Sequence, residues 1–321
     1  MIQKPKLVQI QKVVKNVFPK AKVINFKRTS LGNINWVYVV KVANPSKKII
    51  LKVVYRKDRE EQEILAKENK IIGILNDKKI EGIPKVIDFN HSKKDVPWVY
   101  MIESYLDGYP IIERQASIKG RDFKGIIKKL AKIITGFHKI RYKKITEFEK
   151  LRPEFTSFPV YLEAYLEKYC LICNAYSKMP KQLIQDANEF LLRESPKIKD
   201  KQFVLNHCDA SSHNILIKGN KFVGLVDFEA AQTMTPEFDL VTCYHEFLWR
   251  YPKLWQLLLK EYVKYNKIPK DFKERLNIVM GYRSLRYLYI AVKNKIFQYM
   301  EGDIQRMKEV LDGSFLKTIK F

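Results

Sequence analysis

The sequence predicts an α+β protein, with a small antiparallel sheet near the N-terminus followed by a larger, mainly helical part. Three observations support this prediction. Apolar and polar residues alternate between residues 23 and 54, as they do in half-buried strands. Apolar residues recur at helical spacing through most of the chain after residue 120. A hairpin pattern between residues 203 and 229 interrupts this helical part and carries a group of chemically reactive side chains.

The composition is typical of a globular protein. Hydrophobic residues make up 46% of the 321 positions and charged residues 30%, which excludes an intrinsically disordered chain. The four cysteines are too few for a disulfide framework in a chain of this length, so we expect a reducing, cytoplasmic location. No apolar run approaches the length of a membrane span and the first residues lack a secretory core, so we expect no transmembrane segment.

The net charge of +25 raises the question of a nucleic-acid or other anionic partner. Only 13 of the 60 basic residues are arginines, and the lysines are spread along the whole chain. Arginine is the residue preferred for bidentate contacts with phosphates and bases. The pattern therefore favours a lysine-rich composition over a dedicated nucleic-acid surface, and nucleic acid stays a possible but less favoured partner.

The N-terminal third is predicted to contain one short helix and an antiparallel sheet. Apolar residues at helical spacing predict an amphipathic helix, whose basic face is open to a membrane or RNA but is more simply a solvated face. They are Leu7, Ile10, Val14 and Val17. Strands are expected at residues 23–26, 36–42 and 49–54, and a small-residue loop at 29–35 joins the first two.

A lysine in the third of these strands is expected to pair with a glutamate on the following helix. Lys52 is flanked by apolar residues, and a buried lysine requires a carboxylate partner. Asp58 and Glu61 resemble a capping box that opens a helix. Glu68 lies on the apolar stripe of that helix, so it also requires a partner. Glu61, two turns earlier, is the competing partner for Lys52.

The hairpin is predicted from its turn residues. With Gly219 and Asn220 as the loop, Lys218 is expected opposite Lys221 and Asn214 near Leu225. This register brings Asn214 and Asp227 to one end of the ribbon, while Asp209 lies on the loop before its first strand. Two carboxylates and an amide oxygen suit a magnesium ion held with phosphate oxygens, plus a base beside an attacking hydroxyl.

These motifs resemble a known family. His207-x-Asp209 with Asn214, followed by Asp227-Phe228-Glu229, looks like the aminoglycoside phosphotransferase and choline kinase family, which has a protein-kinase-like fold. The resemblance implies two lobes, a five-stranded sheet with one helix in the smaller and mainly helices in the larger. Residues 1–103 are expected to form the nucleotide-binding lobe, and residues 104–321 the catalytic and substrate-binding lobe.

The resemblance also implies a role for each site residue. Asp209 would accept or orient the proton of the acceptor hydroxyl, while Asn214 and Asp227 would hold Mg²⁺. A larger set of residues would bind ATP. Lys52, positioned by Glu68, would contact the phosphates, and the loop at 29–35 would cover them. The main chain between the lobes would contact adenine. That set is Lys52, Glu68, Ser30, Asn33, Glu103 and Tyr105. His207 would support the loop, and Asp239 would brace it.

The acceptor is expected to be a hydroxylated small molecule, but the sequence does not identify it. A predicted helix at 160–178 carries Tyr161, Tyr165, Tyr169, Glu163 and Glu167. These side chains form either a wall for a cationic substrate or separate core and solvated faces. Other residues could touch the substrate, although packing explains each of them better: Trp249, Tyr282, Arg283 and Arg286.

Three other functions remain open at this stage. A kinase of RNA or protein would use the basic surface, and a nucleotide-binding module would bind ATP without turnover. An N-terminal membrane-associated role would depend on the first helix. The spacing of 12 positions from Asp227 to Asp239, with no Ala-Pro-Glu after it, argues against a regulated protein kinase.

Overall fold

The computed structural model describes residues 4–29, 35–54, 59–114, 117–148 and 153–321, with the side chains of residues 59–61 left out. The chain divides into two compact units. Unit 1 comprises residues 1–116, 148–151 and 213–230, and unit 2 comprises residues 117–147, 152–212 and 231–321. The predicted boundary between residues 103 and 104 stays a prediction.

Strands predominate in unit 1, whereas helices dominate unit 2. The strands in chain order are β1 (Lys22–Arg28), β2 (Asn35–Ala43), β3 (Lys47–Val54), β4 (Val86–Asn90), β5 (Tyr100–Ser104), β6 (Tyr109–Pro110), β7 (Arg141–Tyr142), β8 (Phe203–Asn206), β9 (Ile215–Lys218), β10 (Lys221–Leu225) and β11 (Gln232–Met234). The helices are α1 (Leu7–Val17), α2 (Arg59–Asp77), α3 (Gly120–His138), α4 (Phe158–Ala175), α5 (Lys181–Glu194), α6 (Glu237–Glu246), α7 (Pro252–Tyr265), α8 (Phe272–Asn294), α9 (Met300–Leu311) and α10 (Ser314–Thr318).

The main sheet of unit 1 has the five antiparallel strands that the resemblance implies, in the order β1-β2-β3-β5-β4. One face of the sheet buries alternate residues of β2 and β3, and α1 packs on it through Ile10, Val13 and Val14. The Gln11 side chain fixes this packing, because its amide donates to Ala21 O (2.9 Å) and accepts from Val23 N (2.8 Å). The predicted amphipathic helix is confirmed. Ile10 and Val14 of the predicted stripe are buried in the core, whereas Leu7 is exposed.

A second sheet of unit 1 contains the predicted hairpin, in the order β10-β9-β6. Lys218 lies opposite Lys221 as expected, but a bulge between Phe222 and Gly224 shifts the register beyond them. The prediction that Asn214 lies near Leu225 is therefore wrong by one residue, since Leu225 pairs with Ile215. The carbonyl of Asn214 instead accepts a hydrogen bond from Val226 N (3.1 Å).

The bulge lies where another part of the chain crosses close to the ribbon. Leu225 N donates to the carbonyl of Gly82 (2.9 Å), and a Cβ atom on Gly224 would clash with that same carbonyl. Only glycine permits this approach. The shift moves Asn214 one position nearer to Asp227 along the partner strand, and so strengthens the juxtaposition that the sequence predicts.

Unit 2 is built around α8, which packs against α4, α5, α6 and α9. Its small sheet has the order β11-β8-β7. Helix α5 has no counterpart among the predictions above, and Gly313, with a φ of +73°, lies between α9 and α10. Within the described residues, no helix has both the length and the apolar character required to cross a membrane.

Candidate functional site

Unit 1 contains a buried cluster of one lysine and three carboxylates. Lys52 is 5% exposed, and its Nζ lies 2.5 Å from Glu68 Oε1. The same Nζ lies 3.6 Å from Glu103 Oε1 and 3.6 Å from Asp227 Oδ1. The structure therefore forms the predicted pair of Lys52 and Glu68. The side chain of the competing partner, Glu61, is outside the described residues.

The position of Glu103 follows from the pairing of β3 with β5. Ile50 lies opposite Glu103, and Lys52 lies opposite Met101. Because residues two apart on a strand share a face, Lys52 and Glu103 are diagonal neighbours on one side of the sheet. The sequence predicts only a main-chain role for Glu103, because the strand pairing that places its carboxylate joins segments about fifty residues apart.

The electrostatics of the cluster keep the lysine charged. Burial disfavours the ammonium of Lys52, but Glu103, Glu68 and Asp227 outweigh this and raise its pKa well above the ordinary value. Burial also raises the pKa of Glu103 to about 7 and raises that of Glu68, and Lys52 only partly opposes both shifts. One ammonium against three carboxylates leaves an excess of negative charge, which a bound cation would offset.

A hydrogen bond from the main chain couples helix α2 to the segment that follows the hairpin. Glu68 Oε1 accepts a hydrogen bond from Phe228 N (2.9 Å) in addition to its contact with Lys52. The next residue, Glu229, accepts a weaker bond from Asn35 Nδ2 at 3.4 Å. The segment Asp227-Phe228-Glu229 is therefore fixed by α2 and β2 of the same unit.

The two residues predicted to hold a metal lie at the open end of the hairpin. Asp227 has a φ of +69°, a left-handed conformation that is uncommon for a residue with a side chain, and its side chain is 34% exposed. Asn214 is 8% exposed. Both carry hard oxygen donors of the kind that Mg²⁺ prefers, so the donor set fits this ion. No cluster of three or more His, Cys, Asp or Glu side chains suited to a metal occurs among the described residues.

Tyr105, another predicted nucleotide contact, is not part of this cluster. Tyr105 follows β5, is half-buried, and has Lys48 Nζ 4.9 Å from its ring centroid. Ser30 and Asn33 lie outside the described residues. Their roles stay predictions.

In unit 2, Asp239 fixes the loop that carries Asp209. The buried Asp239 carboxylate accepts hydrogen bonds from His207 N (3.0 Å) and Cys208 N (2.8 Å), while its own N–H donates to Asn206 Oδ1 (3.1 Å). Burial would raise the pKa of Asp239, but His138, His207 and these bonds outweigh it and lower the pKa. The bracing role implied for Asp239 thus has a clear structural basis.

Two histidines complete the support of this loop. His207 is fully buried, and its Nδ1 accepts a hydrogen bond from Asp209 N (3.2 Å), which agrees with a supporting role. Cys208, between His207 and Asp209, has a φ of +63°, and the hydrogen bonds to Asp239 hold this conformation in place. His138, to which sequence analysis gives no role, lies 3.5 Å from Asp239 and hydrogen-bonds Tyr262 (2.8 Å).

The side chains of α4 do not form a combined aromatic and acidic wall. Tyr161 and Tyr169 are buried against α8, whereas Glu163 and Glu167 are exposed. The suggestion of a wall for a cationic substrate is therefore wrong, and separate core and solvated faces describe the helix. The period of 3.6 residues separates positions 161, 165 and 169 from 163 and 167 by roughly half a turn.

Comparisons with known proteins agree with this architecture. Residues 25–272 match a family model described as the phosphotransferase enzyme family. A thermostable mutant of aminoglycoside phosphotransferase APH(4)-Ia, in ternary complex with ADP and hygromycin B, is similar with a TM-score of 0.70 and 12% identity, over 95% of this chain and 98% of that one. The structure of gentamicin with APH(2")-IIa is similar with a TM-score of 0.64 and 16% identity, over the whole of both chains.

A third solved structure, the GDP complex of wild-type aminoglycoside 2'-phosphotransferase-IIIa, has a TM-score of 0.64 and 12% identity over 97% of this chain and 100% of that one. No curated protein sequence matches the chain. At these identities the structures establish the fold alone, and they confirm the predicted protein-kinase-like architecture with an antiparallel sheet followed by a helical part.

Proposed function

Since the chain belongs to the phosphotransferase enzyme family, we propose that it transfers the γ-phosphoryl group of ATP to a hydroxyl group of a small molecule. The observation that carries this proposal is the buried Lys52, held by Glu68 and facing Asp227. A lysine fixed in this way supplies positive charge to nucleotide phosphates without reorganising when they bind. In this proposal residues 1–103 bind the nucleotide, and residues 104–321 carry the catalytic and acceptor-binding groups.

The environment of Lys52 supports a role in phosphate binding rather than in proton transfer. Its raised pKa keeps it an ammonium throughout the physiological range, so it acts as a fixed charge. Glu68 orients it at 2.5 Å and is itself anchored by Phe228 N. A change at Glu68 would therefore displace both the lysine and the segment that carries Asp227.

Asn214 and Asp227 would hold the magnesium ion. When bound, Mg²⁺ neutralises negative charge on phosphate oxygens and orients them for transfer. Three carboxylates surround the single ammonium of Lys52, and this excess of negative charge favours the binding of a divalent cation. The bulge at Phe222 to Gly224 sets the distance between the two ligands along the ribbon.

Asp209 would accept or orient the proton of the attacking hydroxyl. Its backbone is fixed by His207, and the neighbouring residues are fixed by the buried Asp239. A carboxylate on so rigid a loop keeps one orientation during the reaction, which favours a positioned base over a mobile surface charge.

The test is an ADP-release assay coupled to NADH oxidation, with ATP, MgCl₂ and a panel of sugars, sugar acids, amino alcohols and aminoglycosides. Asp209→Asn should abolish acceptor-dependent ADP release while a fluorescent ATP analogue still binds. Asp186→Asn is the matched control, because this carboxylate on α5 accepts a hydrogen bond from Gln182 at the surface and should be without effect. Full turnover by Asp209→Asn would contradict the assignment, and excess EDTA should abolish turnover in every variant.

A further inference from the structure

Helix α8 carries two arginines one turn apart, Arg283 and Arg286. Residues three apart lie on the same face of a helix. Arg283 is fully buried and Arg286 is half-buried. A buried guanidinium is costly unless acceptors meet its five N–H donors, so these side chains require partners.

Arg283 is only partly satisfied. Its Nη2 donates to Glu246 Oε1 and to the hydroxyl of Tyr287, both at 2.7 Å. Its Nε and Nη1 are buried and have no hydrogen-bond acceptor among the described residues. The guanidinium also lies over the rings of Phe238 and Tyr287, 5.7 and 4.3 Å from their centroids. Buried donors without acceptors are rare in proteins, and a bound ligand is one source of the missing acceptors.

Arg286 makes neither an ion pair nor a hydrogen bond within the part of the chain that the structure describes. Four tyrosines lie around its charge: Tyr161, Tyr169, Tyr282 and Tyr287. Tyrosine hydroxyls are neutral at pH 7, so none of them balances the guanidinium. The hydroxyls of Tyr161 and Tyr282 are also engaged with each other, at 2.9 Å.

Arg283 lies near the loop that carries the proposed catalytic base, because its Cζ is 5.7 Å from the ring centroid of Phe238, the residue before the Asp239 that fixes this loop. Burial opposes the charge of Arg283, but Tyr287, Glu246 and Asp209 outweigh this and raise its pKa. Both guanidinium groups also act on the thiol of Cys208, the residue before Asp209. An acceptor whose hydroxyl meets Asp209 would therefore present the rest of its structure to these arginines.

The charge of this region favours an anion over a cation. Glu246 is already paired with Arg283 and with His245. A cationic acceptor would therefore meet an unbalanced guanidinium in a partly dry site, where like charges repel strongly. A carboxylate or phosphate would instead match the planar donors of arginine.

We infer that the acceptor carries an oxyanion, a carboxylate or a phosphate, in addition to its hydroxyl group, and that Arg286 and the unsatisfied donors of Arg283 bind it. This inference rests on the proposed phosphotransferase function and narrows its substrate class. It predicts small hydroxylated acids as acceptors and disfavours polycationic aminoglycosides.

The binding test uses matched probes without nucleotide. D-Gluconate, neutral D-sorbitol and inorganic phosphate are titrated calorimetrically into the full chain at fixed ionic strength. Gluconate and phosphate should bind the wild type and lose at least tenfold in affinity with Arg286→Gln, whereas Arg286→Lys should lose less. Arg193→Gln is the control, because this exposed arginine on α5 pairs with Glu194 and lies over the ring of Phe190.

The inference is overturned if Arg286→Gln binds both anions as well as the wild type, if Arg193→Gln loses as much affinity, or if sorbitol binds as tightly as gluconate. Thermal unfolding shows whether Arg286→Gln folds. If it does not fold, the affinities of Arg286→Lys for both anions are compared with those of the wild type instead.

A turnover assay separates this inference from the proposed function. With gluconate as the acceptor, Arg286→Gln should raise KM at least tenfold and change kcat less. Anion binding without ADP release from any acceptor would contradict the phosphotransferase function but leave the anion site standing. Turnover of gentamicin or glucosamine that is equal in wild type and Arg286→Gln, with none of gluconate, would support the function and refute the anion site.

Discussion

Replacing Asp239 with asparagine should destabilise the protein and inactivate it through the loop that carries Asp209. The carboxylate accepts two backbone hydrogen bonds, at 3.0 and 2.8 Å. Asparagine retains one acceptor oxygen and loses the charge. Since a hydrogen bond to a charged group contributes about 1.5–3 kcal/mol, the free energy of unfolding should fall by about 2–3 kcal/mol at pH 7.

The same change should lower kcat more than the loss of stability explains. Cys208 keeps its left-handed φ of +63° next to these bonds, and a loop released from Asp239 can relax toward more common backbone angles. A displacement of about 1 Å at a catalytic group can cost roughly a hundredfold in rate. We therefore expect kcat to fall about a hundredfold or more.

The assay combines urea unfolding, followed by circular dichroism, with ADP release at saturating ATP. Glu237→Gln is the matched control, because Glu237 lies two residues earlier on α6 and is equally buried, but pairs with Arg275 at 2.6 Å rather than with the loop. It should lose stability while the folded protein keeps its kcat. An unfolding free energy for Asp239→Asn within 0.5 kcal/mol of wild type, or equal losses of kcat in both variants, would refute the reasoning.

The pH dependence supplies a further check on Asp239. Its pKa is lowered in the folded state, so its contribution to stability is present above the unfolded pKa of about 4 and is lost as the pH falls through the folded value. The difference between wild type and Asp239→Asn should therefore shrink below about pH 4.

Two other predictions concern unit 1. Burial raises the pKa of Glu103 from 4.5 to about 7, so the unfolded chain loses this proton at a lower pH than the folded protein. The unfolding free energy of the wild type should therefore fall as the pH rises between these values, and Glu103→Gln should remove up to about 3 kcal/mol of that fall. Identical pH profiles of the two proteins in urea unfolding would contradict this prediction. Gly224→Ala should lower the unfolding free energy by about 1–3 kcal/mol, because the new Cβ meets the carbonyl of Gly82. The control Gly125→Ala, in open space on α3, should raise it by up to about 1 kcal/mol. An unchanged unfolding free energy for Gly224→Ala would show that the backbone at Gly82 can move away.

Local patterns predict much of the fold and part of the site. The helical stripe around Glu68 and the apolar flanks of Lys52 are enough to pair these residues. The turn at Gly219 and Asn220 is enough to place Asn214 and Asp227 at one end of a ribbon. In both instances the period of one element fixes which face a side chain occupies.

Features that depend on distant segments are missed. The bulge arises because Gly82, about 140 positions before Gly224, approaches the ribbon, and nothing near the hairpin encodes this contact. The carboxylate of Glu103 reaches Lys52 only once β3 and β5 are paired. The tyrosines around Arg286 come from two helices more than a hundred residues apart, so their spacing along α4 alone cannot indicate what they surround.

The discontinuous make-up of unit 1 limits how the polypeptide can be dissected. A fragment ending at residue 116 would retain Lys52 and Glu68 but omit the segment 213–230, and with it Asp227 and the strand β9 that pairs with β6. Such a fragment would expose an unpaired β-edge and leave the lysine with one carboxylate fewer. Gene fusions and domain exchanges that use this lysine must therefore carry both distant stretches of the coding sequence together.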